Sequence, residues 1–246
     1  MKRILPLMCL YLIQASAVES DVMIGTAYSD TNYNTMEKSD TFTTTLQADF
    51  FQGDMSAQIL TSFFRSDDTY VSDNGWGDTE LGFYYKTYPS SALTLQPGFG
   101  VILPTYKSGY NNEAIDIFGS IHAKYDFKKH YYLFGGFTYT VVNDKDVQDA
   151  THYHHSSYIV GDSIQYHNTS SYNIGTGYKI NTNGYVSIEY AQIQSIYADV
   201  ESFKILSLNA RIPVDTHWFL IGNYRYGLSD TASDNEIALR VGYYFR

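Results

Sequence analysis

The sequence predicts an all-β protein: a closed, antiparallel, up-and-down transmembrane β-barrel of about twelve strands. Three observations predict it. Apolar residues recur at every second position in segment after segment, and no amphipathic pattern near a period of 3.6 follows the first residues. Most apolar faces run unbroken for about nine to eleven residues, the length a tilted strand needs to cross hydrocarbon. The opposite faces carry ionisable groups at mid-strand, which a dry sandwich core would not accept unpaired.

The amino-terminal region stands apart. Lys2 and Arg3 precede a ten-residue apolar run, ILPLMCLYLI at 4–13, and Ala15-Ser16-Ala17 follows. A basic start, a short apolar stretch and small residues at a cleavage position are the parts of a secretory signal peptide. Residues 1–17 are therefore expected to be a leader and 18–246 the barrel. The only cysteine, Cys9, falls inside the leader, so the barrel is expected to hold no disulfide and no thiolate metal site. Formal net charge is −10, and about −12 once Lys2 and Arg3 are removed. That balance argues against a nucleic-acid partner, which needs a basic footprint. The chain also holds 25 tyrosines, residues suited to pleated surfaces and to membrane–water boundaries.

Taken in order, the predicted strands are these. The first, 21–29, shows Val22, Ile24 and Tyr28 on one face. In 41–51, Phe42, Leu46, Ala48 and Phe50 oppose Thr43, Thr45, Gln47 and Asp49. Gln52-Gly53-Asp54 turns into 55–64, marked by Met55, Ala57, Ile59 and Phe63. In 78–88, Leu81, Phe83 and Tyr85 oppose Asp78, Glu80, Gly82 and Lys86. A tight turn at 88–91 leads to 92–103, where Leu93, Leu95, Phe99 and Val101 oppose Gln96, Gly98 and Gly100. In 114–127, Ile115, Ile117 and Ile121 oppose Asp116, Ser120, His122 and Lys124. The seventh, 131–142, is apolar on both faces, so its facing is open. The eighth ends at Ile180, and its parity extends back to Tyr158: one long projecting strand, or a strand plus a hairpin. The ninth, 184–190, sets Val186, Ile188 and Tyr190 against Ser187 and Glu189. The tenth, 203–212, sets Leu206, Leu208 and Ile212 against Asn209 and Arg211. The eleventh, 217–228, sets Trp218, Leu220 and Tyr224 against Asn223 and Arg225. In the last, Ile237, Leu239, Val241 and Phe245 oppose Glu236, Arg240 and Tyr244.

Connectors alternate between short ones, at 52–54, 88–91, 126–130, 181–183 and 213–216, and longer polar ones, at 30–40, 66–77, 104–113, 143–157, 191–202 and 229–235. Tight turns on one side and long loops on the other are the habit of outer-membrane barrels. The carboxyl end resembles the assembly signal of Gram-negative outer-membrane barrels through Arg240, Gly242, Tyr243 and Phe245, although the last residue is Arg246 rather than an aromatic. The block GWGDTELGFYYKTYPSSALTLQPGFGVILPTYKSGYN is similar to the outer-membrane family named for a MetA pathway of phenol degradation. The matching residues are Gly75, Gly77 and Asp78 at the start of a strand, then Leu103, Pro104 and Thr105, with Tyr106 in place of the family's glycine and Gly109 close behind. The likeness covers 75–142. It implies a barrel for uptake of small, often aromatic or hydrophobic, compounds.

The candidate site is the inward ionisable set: Asp78, Glu80, Lys86, Asp116, Lys124, Glu189, Arg211, Arg225 and Arg240, with Asp49 and Glu236. These groups either pair and stiffen the barrel or line a wet path and tune its selectivity. Inward glycines at 82, 98, 100, 175 and 177 either leave room or relieve crowding. No cofactor, metal site or catalytic residue is expected. The cluster THYHHSS at 151–157 offers His152 and His154 with no third ligand. His154 and Ser156 would suit an outer-membrane lipid hydrolase, the alternative reading, but no third triad member can be placed. A plugged barrel that only displays loops is the other alternative. The expected setting is the outer membrane of a Gram-negative bacterium. The expected partners are the lipid bilayer and lipopolysaccharide, the outer-membrane assembly machinery and a small-molecule solute.

Overall fold

The computed structural model describes residues 19–32, 38–68, 72–105, 114–143, 167–196 and 200–245. The expected leader at 1–17, Tyr106 and Gly109, the histidine cluster at 151–157 and Arg246 lie outside the described residues. The described elements are strands: β1 (Glu19–Asn32), β2 (Lys38–Gln52), β3 (Met55–Asp68), β4 (Ser72–Trp76), β5 (Thr79–Tyr85), β6 (Leu93–Leu103), β7 (Asp116–Asp126), β8 (Tyr131–Val141), β9 (Thr169–Lys179), β10 (Tyr185–Ile193), β11 (Phe203–Pro213), β12 (Trp218–Gly227) and β13 (Asn235–Phe245). All pairings are antiparallel, and β13 closes on β1 from Ser20 opposite Phe245 to Asp30 opposite Asn235. The result is a closed barrel of twelve staves, because β4 and β5 both pair with β3 and form one interrupted stave. Closure satisfies the first and last strands without water, which lipid would not supply.

The interruption is a β-bulge. Phe63 pairs with Trp76 and Leu60 with Glu80. Gly77, Asp78 and Thr79 therefore face only Thr61 and Ser62. One extra residue flips the side-chain parity along the stave. Trp76 points outward against Phe63, ring centroids 5.8 Å apart, although Glu80, Gly82 and Tyr84 share its parity and point inward. The stave expected at 78–88 thus starts at Thr79, ends at Tyr85 and has a preceding half that alternation did not reveal. The two family-like motifs meet here. The Thr105 hydroxyl donates to the Gly77 carbonyl, and Thr79 and Thr105 hydroxyls lie 3.1 Å apart.

Three connectors are shorter than expected, the one at 191–202 because β10 stays paired through Ile193. The chain stays paired to Asn32 and resumes at Lys38, and it stays paired to Asp68 and resumes at Ser72. An apolar face is needed only where a strand touches lipid. Beyond it the ladder continues with polar outward groups, such as Arg65 and Asp67, 3.3 Å apart. β1, β2 and β3 are accordingly the longest strands, at 14, 15 and 14 residues.

The outward face is apolar and uncovered: Phe99 is 66% exposed, Ile174 64% and Ile237 62%. Girdles of rings bound it. On the short-turn side Trp218 and Phe245 contact Tyr243, with centroids 4.9 and 4.7 Å apart. On the long-connector side the outward tyrosines donate to polar neighbours, Tyr28 to Asp40 at 2.9 Å and Tyr224 to Asn235 at 2.7 Å. A ring in lipid with its hydroxyl held at a wet edge is the behaviour of an interfacial tyrosine. β8 also resolves: Leu133, Phe137, Tyr139 and Val141 face out and Tyr132 is buried within.

Candidate functional site

The interior is built by one repeated local device. An inward ring lies over the glycine directly opposite on the neighbouring strand. Tyr84 covers Gly98, Phe118 covers Gly100, Tyr132 covers Gly177, Phe134 covers Gly175 and Phe219 covers Gly242. A Cβ built on any of these glycines would come within 2.1–2.4 Å of its ring. The inward glycines therefore do not leave room. They let large rings press against the wall rather than stand across the bore, an aromatic rescue of glycine in a curved sheet.

Among the described residues, two cavities stand out inside the ring. The first, about 610 Å³, is bounded by Asp49, Glu80, Tyr84, Lys86 and His122 among amides and hydroxyls. The second, about 490 Å³, lies towards the short-turn side and is bounded by Lys124, Lys179, Glu189, Arg211 and the β9–β10 turn at Asn181–Gly184, together with several rings.

The predicted set separates by depth. Glu80 and Lys86 line the first cavity, and Lys124, Glu189 and Arg211 line the second. Asp116 is buried near the long-connector end, where its Oδ1 accepts the Asn143 N–H at 2.9 Å. Arg225 pairs with Glu236 at 3.0 Å. Arg240 has no carboxylate within 4.0 Å among the described residues. Asp78 sits in the bulge, exposed, and bounds neither cavity.

The partners of these groups were hidden from sequence reasoning. The Arg211 guanidinium lies 3.9 Å from the Phe219 ring centroid and 5.2 Å from that of Tyr244. It donates to the Tyr244 hydroxyl and sits 3.5 Å from the Asp21 carboxylate. Phe219 is wholly buried. Its inward parity, opposite Gly242, was the available signal. Lys179 and Lys124 converge on Asp126 Oδ1 at 2.8 and 3.8 Å, and Lys124 lies 4.9 Å from the Tyr132 ring centroid. Glu189 accepts from Asn173 Nδ2 at 2.8 Å, and Asp49 accepts from Gln47 and Gln58, each at 2.8 Å. Outside the membrane, at the β11–β12 turn, the backbone N–H groups of Trp218 and His217 hold the Asp215 carboxyl below the usual aspartate range, each at 2.7 Å. No group of three metal-ligating side chains occurs among the described residues.

With this geometry in place, solved structures supply the comparison. The COG4313 outer membrane channel from Pseudomonas putida F1 superposes with a TM-score of 0.75 at 10% identity, over 94% of this chain and 96% of that one. This chain has the fold of outer-membrane channels. The NanC porin matches at a TM-score of 0.55 and 14% identity, over 92% of this chain and 99% of that one. The translocator domain of the autotransporter NalP from Neisseria meningitidis matches at 0.52 and 10%, over 100% and 94%. No family model and no curated protein matches the chain.

Proposed function

We propose that this protein is an outer-membrane channel for small solutes, with ring-bearing or otherwise hydrophobic compounds as the class its lumen suits. One observation carries the reading. The ring encloses cavities of about 610 and 490 Å³ lined by both polar groups and aromatic rings, and the rings lie along the wall instead of filling the bore. Such lining offers a small molecule apolar contact and a few orienting polar groups. The fold shared with an outer membrane channel of Pseudomonas putida supports the reading. Under it, residues 1–17 direct export, the assembly machinery inserts the barrel, and bilayer and lipopolysaccharide surround the apolar belt. The lumen charges tune which solutes pass.

The test is reconstitution. Purified protein should give stepwise currents in planar bilayers, and liposomes carrying it should swell in arabinose but not in the larger raffinose. No current, with no swelling in any small solute, would overturn the channel and favour a plugged barrel.

A further inference from the structure

The two cavities differ in charge. The first carries two carboxylates, Asp49 and Glu80, beside Lys86 and His122. The second carries three cations, Lys124, Lys179 and Arg211, against the single carboxylate of Glu189. This is a local reversal in a chain whose formal charge is −10. Glu189 is also engaged, by Asn173. The carboxylates that hold the three cations, Asp126 and Asp21, are not among the groups bounding the cavity. Asp126, whose side chain is 33% exposed, and the more enclosed Asp21 hold the cations from beside the lining. Rings of Tyr132, Phe134, Tyr185 and Tyr244 complete the surface.

We propose that the second cavity is a subsite for a small organic anion, a carboxylate borne on a flat apolar ring, with Lys124 and Lys179 taking the carboxylate. This deepens the channel reading and rests on it. A carboxylate reaching Lys124 and Lys179 replaces or supplements the bonds they make to Asp126, and charge-assisted bonds of this kind are the strong ones. The flat group gains contact with Tyr132 and Phe134, which already lie against the wall. A cavity of about 490 Å³ falls in the range of small-molecule sites, about 300–1,000 Å³. Arg211 is the less available cation, because Phe219 and Tyr244 flank it.

The experiment compares benzoate with its neutral analogue benzamide. Binding to the full barrel in detergent is measured by calorimetry. Benzoate should bind more tightly than benzamide. The triple variant K124Q/K179Q/D126N removes both cations together with their shared counter-charge, so no carboxylate is left without its cations. It should weaken benzoate binding about tenfold, the size of one charged hydrogen bond, and leave benzamide unchanged. D126N alone frees the lysines and should tighten benzoate binding. Equal binding of the two probes, or no loss in the triple variant, would overturn the subsite. Liposome swelling separates this from the channel reading. Swelling in neutral solutes without preferential benzoate binding keeps the channel and removes the subsite. Preferential benzoate binding without any flux keeps the subsite and removes the channel.

Discussion

Phe99 and Gly100 are neighbours in β6 and occupy different solvents. Phe99 projects from the outer wall, 66% exposed, and stacks with Phe83 across the strand pair. Gly100 faces inward beneath the Phe118 ring, and a Cβ there would also meet the Leu81 carbonyl at 2.2 Å. The same alternation runs around the barrel. The difference teaches that this protein is inverted relative to a water-soluble one. Its greasy residues are uncovered, and its polar residues are enclosed with each other. Lipid, not a core, completes the outer face.

Breaking that contrast should give the largest effect. Arginine at Leu239, mid-strand on the outer face, should cost about 2–4 kcal/mol of folding stability, the price of a cation at the bilayer midplane. Arginine at Thr138, which lines the first cavity, should cost less than arginine at Leu239, because a lumen position keeps the cation out of hydrocarbon. Urea titration of both variants in lipid vesicles measures the pair. Inward and outward glycines differ in the same way. Gly100→Ala should cost about 1–3 kcal/mol by overpacking, because backbone as well as ring stands in the way. Gly119→Ala, on the outer face with nothing within 4 Å, should stay within about 0.5 kcal/mol of the parent.

The two ends of the lumen give the next step. Arg211 and Asp21 are 20% and 11% exposed in their side chains, and Arg225 and Glu236 are 40% and 22%. R211Q leaves an enclosed carboxylate and two rings without their cation, so it should cost about 1–2 kcal/mol. R225Q should cost about 0–1 kcal/mol. The same titration ranks them. The smallest effect belongs to Asp215. Its lowered folded value means that its stabilisation is complete above the ordinary aspartate range, about pH 3.9. It is lost as pH falls through the lower folded value. D215N should lower the thermal midpoint slightly at pH 7 and by progressively less as pH falls through the lowered folded value, read as the difference from the parent at each pH.

The legible part of the fold was the part that lipid dictates. Ile237, Leu239 and Val241 announce their face because nothing polar can replace them there. What stayed hidden lies where lipid has no say. β3 runs on through Arg65 and Asp67 because backbone pairing continues in water. The bulge at Gly77–Thr79 hides because Gly77, with Gly75 just before it, reads as a loop. In the site, Glu80, Lys86, Lys124, Glu189 and Arg211 were legible as inward charges, but their sorting into two cavities depends on which strands adjoin across the ring. Phe118, Phe134 and Phe219 were invisible as inward groups because an apolar residue on a wet face looks like noise. Only the register shows each to lie opposite a glycine.

The outward apolar belt is the surface that must contact acyl chains. The chain has two tryptophans, and both face outward, Trp76 beyond the bulge and Trp218 at the short-turn edge. Brominated lipids quench tryptophans that touch acyl chains. In vesicles, the single-tryptophan variants W76F and W218F should each be quenched by lipids brominated near the head of the acyl chain and resist aqueous iodide. Strong quenching of both by iodide, with no effect of brominated chains, would contradict the account.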